Sequence, residues 1–410
     1  MSFQNQTEAA IFYLCQRTFL SLWSYANPRR QGSSKELCDV LVLCEPHVVL
    51  FSVKDSRLDS SKSPQIAAQR WWKKAIKESA AQLYGAERNI AQAKAVTRSD
   101  GTLGLPFPLP DKRIVHRVAV SLGSEGFLPM FAGDLGKGFV HVFDEEFIQL
   151  ALRGLDTVSD FIGYLSAKEA LCLQHEHLIV DGGEKNLLAV FLENNRAFPT
   201  GTPPLVIPSD NWKKFSGSEG YRLKQAADEI SYGWDRLLEW YSHEAITGRL
   251  DGLREIAPFG FPPSLAESEL VLRYMAREDR FARRFLATAL IEFRDLAVKG
   301  RVRARLVESI SGVAYLFYNP PIDYDREERI RELALRCHVA RSEVSGCDII
   351  VGIGTNVEAA PQGFATDFCL FSAAKWTDED RARAESIKQD LGYFKSPDYK
   401  SVQTHEYPRS

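Results

Sequence analysis

Glu36-Leu37-Cys38-Asp39-Val40-Leu41-Val42-Leu43-Cys44-Glu45-Pro46-His47-Val48-Val49-Leu50-Phe51-Ser52-Val53-Lys54-Asp55 is the stretch that decides the fold of this chain. Its two apolar runs, Val40 to Leu43 and Val48 to Phe51, are rich in β-branched residues and flank Glu45-Pro46-His47, so they read as two strands joined by a tight turn. Antiparallel pairing across a turn near Pro46 brings Asp39, entering the first strand, to the same end as Lys54, leaving the second. Side chains alternate along a strand, so Ser52 and Lys54 share one face while Val53 and Asp55 share the other. An acid and a lysine at the rim of a buried hairpin have two meanings. One is a salt bridge at a strand end. The other is chemistry on phosphate: a carboxylate holds a hard divalent cation through oxygen, and a lysine beside it orients water or offsets charge in the transition state.

Upstream, Thr7 reads as the N-cap of a helix to about Tyr25, with Ile11, Leu14, Thr18 and Leu22 at helical spacing and Asn27-Pro28 as its stop. Glu8 falls in the first turn, where the helix dipole favours an acid whether or not it serves a site. Downstream, a Ser- and Lys-rich loop over 56–63 leads to Pro64. A long helix follows, and its stripe of Trp72, Ile76, Ser79, Leu83, Ala86 and Ile90 packs on a sheet. Arg70, Lys73, Lys74 and Lys77 surround the stripe, as a solvated face or as a grip on a nucleic-acid backbone. Residues 95–112 read as a loop or flap, 114–122 and 139–143 as strands, 145 onward and 155–165 as helices, and 187–191 as one more strand.

The order of helix with Glu8, strand with Asp39, strand ending Phe51-Ser-Val-Lys54 and then a long helix resembles the PD-(D/E)xK nuclease superfamily, over roughly the first 125 residues. The resemblance implies an α/β fold of the mixed α+β kind, with a restriction-endonuclease-like core of mixed sheet flanked by helices. It implies Asp39 as the metal-binding acid, with the backbone carbonyl of Val53 as a second ligand, Lys54 as the catalytic lysine and Glu8 as the accessory acid. Gln82 corresponds to the polar residue that the superfamily often carries on the following helix. Ser52 departs from the pattern, because it stands where the family has Asp or Glu and its hydroxyl carries no charge. Asp55 or Glu36 is then the expected substitute acid. The implied cofactor is Mg2+ or Mn2+, and the implied partner is nucleic acid, DNA favoured over RNA. Similarity to large multidomain bacterial members implies defence against phage or other foreign DNA, with a homo-oligomer or a partner protein of a defence system as further partners.

At 410 residues the chain holds two or three domains, with 45% hydrophobic and 26% charged residues, as in ordinary globular proteins. It has no apolar run long enough to cross a membrane and starts without the pattern of a signal peptide. Seven cysteines without a CxxC pair point to a reducing cytoplasm. The net charge of −3 excludes a wholly basic coat, yet the distribution is uneven. Residues 1–100 carry 14 Lys and Arg against 9 Asp and Glu, residues 273–305 carry 10 against 4, and residues 321–410 carry 12 against 16. A polyanion meets two basic regions and one acidic one.

Four prolines between 199 and 208 mark a boundary, so three regions are expected: a nuclease-like domain with its extension over 1–200, a helical region over 201–305 and a small α/β domain over 306–410. In the helical region, a helix from Ser268 to Lys299 places Arg273, Arg277, Arg280 and Arg284 on one face. That row grips phosphates or, given Glu278, Asp279, Glu292 and Asp295 nearby, belongs to an ion-paired helix. In the last region, 313–318, 348–353 and 367–372 read as strands, and 326–339 and 377–391 as helices. Gly352-Ile-Gly354 lacks the third glycine and the following helix of a nucleotide loop. Cys172, His175 and His177 have metal-ligand types without a second pair, which favours a structural role. Two functions follow: a metal-dependent nuclease, or a decayed nuclease fold that serves as a nucleic-acid or protein interaction module.

Overall fold

The apolar runs around Glu45-Pro46 pair as an antiparallel hairpin, with Val40 opposite Phe51 and Cys44 opposite His47. A computed structural model describes residues 6–57, 61, 63–123, 131–174, 178–199, 205–247, 265–356, 366–372, 375–395 and 400–408. It divides into two units, Met1–Arg222 and Leu223–Ser410, each mixed α/β with a sheet of its own. Among the described residues no helix is long and apolar enough to cross a membrane.

The first unit opens with α1 (Gln6–Phe19), β1 (Ser24–Ala26), β2 (Val40–Cys44) and β3 (His47–Asp55). After β3 come α2 (Pro64–Trp72), a π-turn over Lys73–Lys77 and α3 (Glu78–Ile90). A small hairpin, β4 (Ala95–Thr97) and β5 (Leu103–Pro106), precedes β6 (Ile114–Leu122), β7 (Phe131–Asp134) and β8 (Phe139–Asp144). The chain continues through α4 (Glu145–Gly154), α5 (Val158–Gln174), β9 (Leu178–Val180), α6 (Glu184–Glu193), β10 (Leu205–Ile207), α7 (Asn211–Ser216) and α8 (Glu219–Asp228). The main sheet runs in the order β1-β2-β3-β6-β8-β7. The pairs β3/β6 and β6/β8 are parallel and the rest antiparallel. Ser52 bonds to Gln82 of α3, whereas Phe51 stacks on Phe161 of α5, so α3 covers one face of the sheet and α5 the other. Asp55 meets Thr7 of α1, which puts α1 on the α5 face.

Several expectations change here. Helix α1 stops at Phe19 rather than near Tyr25, because Leu20 takes a left-handed conformation (φ +66°) and Ser24–Ala26 then pairs with β2. Thr7 lies inside the helix, not at its N-cap. The stripe on the sheet begins with Trp71, 3% exposed, instead of the half-buried Trp72. The π-turn is the cause: its wider turn takes one more residue than an α-turn and shifts the face presented upstream. Residues 187–191 are helical within α6, since a short apolar run is equally a buried helix segment.

In the second unit α9 (Tyr232–Thr247), α10 (Leu265–Ala276) and α11 (Arg280–Val298) precede β11 (Ala304–Glu308), β12 (Val313–Tyr318), α12 (Arg326–Glu343), β13 (Ile349–Thr355), β14 (Thr366–Ser372) and α13 (Asp378–Leu391). The sheet order is β11-β12-β13-β14, with β12 and β13 parallel. Helix α12 packs on β13 and β14 through Leu333, Cys337 and Ala340. Gly352 sits inside β13, where a Cβ would meet Cys337 Sγ at 2.5 Å, so this glycine serves close helix-on-strand packing and not a phosphate loop.

Candidate functional site

Asp39 immediately precedes β2 and is buried, its backbone N–H donating to Phe51 O at 3.2 Å. Its Oδ2 accepts from Val53 N–H, and its Oδ1 accepts from Gln82 Nε2 at 3.2 Å. Gln82 in turn accepts at Oε1 from the hydroxyl of Ser52 at 2.9 Å. One continuous chain, Ser52 to Gln82 to Asp39 to Val53, thus closes the mouth of the hairpin. Ser52 is fully buried, so the hydroxyl has no water to bond and depends on Gln82. Along a strand each residue directs its N–H and C=O to the same side, so the Val53 carbonyl lies on the edge that faces Asp39.

Lys54 is half-buried and shares the Ser52 face, where its backbone is in register with Ser121 of β6. It has no ion pair or hydrogen bond from its side chain among the described residues, so the salt bridge with Asp39 is not formed. Asp55 is exposed on the opposite face, where its Oδ2 accepts from Thr7 Oγ1 at 3.5 Å; it does not replace the missing acid on the Lys54 side. Glu8 is buried on α1, on that same opposite face. Glu36 is half-buried in an antiparallel bridge with Arg29, and its carbonyl accepts from Arg30. The structure therefore brings together Asp39, Ser52, Val53 and Gln82, with Lys54 at their edge.

Arg70, Lys73, Lys74 and Lys77 are exposed on α2 and the π-turn, and no ion pair neutralises them among the described residues. Lys73 and Lys77 line an open groove with Ala68, Gln69 and Trp72. The other expected row is corrected. Residues 268–299 are two helices, not one, because Asp279 N-caps α11 through Ala282 N. Arg280 and Arg284 are 3% and 7% exposed. Arg280 bonds to Asp235 and Ser231 and stacks on Tyr232, while Arg284 bonds to Asp228 and the carbonyls of His405 and Glu406. Arg273 pairs with Glu269 one turn away, and Arg277 is exposed in the break between the helices. The four guanidinium groups do not form an exposed row.

The sequence reading missed a second cluster. His116 on β6, His141 on β8 and Glu169 on α5 each offer a ligand atom within 4.8 Å of the others, the one such group of three found among the described residues. His47 Nδ1 lies 3.1 Å from His116 Nε2. His116 Nδ1 and both ring nitrogens of His141 have no hydrogen-bond partner among the described residues although the two rings are 3% and 1% exposed. Leaving a buried donor unmatched costs about 1–3 kcal/mol. Burial, reinforced by His47 and Arg117, pushes the His116 imidazole down to about 4, and burial with Lys168 nearby holds His141 well below the usual range. The trace in the sequence is a single histidine at the third position of each strand, Ile114-Val-His116 and Phe139-Val-His141. Residues 175–177, with the other two histidines of this region, lie outside the described residues.

Mg2+ takes oxygen donors and keeps several of its waters. The Asp39 carboxylate, the Val53 carbonyl and the Ser52 hydroxyl are oxygen donors of the type a hard cation takes, with a single negative charge among them, while both Asp39 oxygens and the Ser52 hydroxyl are engaged in the hydrogen-bond chain described above. No family model matches this chain, and no match is found among curated proteins or solved structures.

Proposed function

We propose that the first unit is a PD-(D/E)xK-like core that hydrolyses phosphodiester bonds, of DNA before RNA, in a protein of foreign-DNA defence that works as an oligomer or with a partner. The observation that carries this reading is a buried Asp39, fixed by Val53 and Gln82, at the hairpin end where Lys54 is half-buried with no counter-ion among the described residues. Bound Mg2+ or Mn2+ supplies an activated water and charge neutralisation, and Asp39 with the Val53 carbonyl holds it. Gln82 orients the Asp39 carboxylate. Lys54, without a partner among the described residues, directs its ammonium to the attacked phosphate and offsets the charge that grows there. The exposed cations Arg70, Lys73, Lys74 and Lys77 hold the nucleic-acid backbone near this end of the hairpin.

The chain from Ser52 through Gln82 to Asp39 favours a second reading. Neutral donors stand where the family has an acid, and both Asp39 oxygens already accept an N–H. In that reading the core binds nucleic acid or protein without cutting. Cleavage of supercoiled plasmid and of single strands with Mg2+ or Mn2+, run beside Asp39→Ala and Lys54→Ala, separates the two. A catalytic site loses about a hundredfold to a thousandfold in rate in each variant, on the order of 3 kcal/mol. DNA binding without cleavage in the parent chain selects the binding module, and absence of both overturns the nuclease reading and the nucleic-acid form of the second, leaving a protein-binding module.

A further inference from the structure

The His116, His141 and Glu169 cluster is separate from the hairpin mouth. It lies on the α5 face of the sheet, whereas Gln82 and Ser52 lie on the α3 face. It also lies at the other end: His116 is five residues before Ser121, the register partner of Lys54, or about 16 Å along the strand. We propose that His116, His141 and Glu169 bind a divalent transition-metal ion, zinc by the chemistry of the donors, which clamps α5 onto the parallel strands β6 and β8.

Two imidazole nitrogens and one carboxylate oxygen are the donor set of three-ligand zinc sites, which leave a fourth position to water. Imidazole is a poor ligand for Mg2+ or Ca2+, so this cation is not the one expected at Asp39. Three buried ring nitrogens lack a hydrogen-bond partner among the described residues, and an ion between the two rings and Glu169 gives both histidines a bond. Two ligands about 2.05 Å from a tetrahedral ion are about 3.3 Å apart, a separation that small side-chain rotations reach from a cluster within 4.8 Å. His47 supplies the outer contact that fixes the orientation of a ligating ring, through its bond to His116 Nε2. The nearest cations do not oppose the ion unscreened. Lys168 is bound by both oxygens of Glu184 at 2.6 Å, and Arg117 is paired with Glu87. Half-buried Glu169 gives the ion its way in.

The test uses the full chain, stripped with a chelator and titrated with Zn2+ by calorimetry and with Co2+ by its visible absorption. Binding near one ion per chain, with an intense tetrahedral Co2+ spectrum, is expected. Glu169→Gln, on the half-exposed helix face, and His141→Gln each weaken affinity by more than about tenfold, the least that removing even an outer hydrogen-bond partner costs such a site. Asp39→Ala leaves zinc affinity unchanged, which separates this site from the proposed nuclease centre. Circular dichroism checks that each variant is folded, and Glu169→Gln carries the test if His141→Gln is not. Absence of binding, or equal binding in a folded Glu169→Gln variant, overturns the proposal.

Discussion

At Ser52 the chain does two things at once. A carboxylate there would be a second charge facing the buried Asp39, at a large desolvation cost without a cation to share. A hydroxyl instead donates to Gln82 and lets the amide bridge to Asp39 with ordinary hydrogen bonds. Glu278 shows the opposite solution in the second unit. It is fully buried and accepts three hydroxyls, from Ser309 at 2.7 Å, Ser311 at 2.7 Å and Tyr315 at 2.9 Å. Burial raises its carboxyl above the usual range, and the hydroxyls offset this only in part. The folded chain therefore keeps a proton that the unfolded chain has released above 4.5. For this group stability is fully present below 4.5 and is lost as pH rises through the raised folded value. Urea midpoints of the full chain and of Glu278→Gln, measured from about pH 4.5 upward, check this: the downward slope with pH is shallower in the variant. Equal slopes would assign the pH dependence to other groups.

Among the elements, the two basic segments separate clearly. The cations of α2 and the π-turn are exposed and have no ion pair among the described residues, while those at the start of α11 are part of the core. Lys73→Ala with Lys77→Ala is expected to weaken DNA binding and to lower the slope of log affinity against log salt by about 2, one for each phosphate that is no longer neutralised. Arg284→Ala is expected to destabilise the chain by about 3–5 kcal/mol, because it leaves Asp228 with less buried compensation and frees two backbone carbonyls. Its urea midpoint reads that destabilisation, and a stable variant with weaker DNA binding would return Arg284 to the nucleic-acid surface. The sequence showed Arg273 to Arg284 at helical spacing but not the break at Asp279, since a single N-cap residue inside a run of good helix formers leaves no gap in the periodicity. The hairpin was legible because β-branched runs, a proline turn and the pleat together fix register and face. The strand Ser24–Ala26 was not, because three residues carry too little pattern to compete with the helix before them. The histidine cluster was invisible by spacing. His116 and His141 are 25 positions apart, and only the parallel pairing of β6 with β8 makes them neighbours.

On the scale of the whole molecule, the chain divides into two units, each with a main core of its own among the described residues. The first is built on the six-stranded sheet and the second on the four-stranded one, and the division falls between Arg222 and Leu223, inside α8. A core with its own sheet and its own buried apolar residues unfolds as a cooperative unit of its own. Calorimetry of the full chain is therefore expected to give two transitions rather than one. Zinc binds only residues of the first unit in the site proposed above, and a ligand that binds the folded state raises stability by RT ln(1 + [L]/Kd), about 2.7 kcal/mol at a hundredfold excess over Kd. Saturating zinc should then move one transition upward and leave the other where it is, with Glu169→Gln abolishing the shift. A rise of both transitions together would mean that the two cores unfold as one, and a shift that survives in Glu169→Gln would place the ion elsewhere.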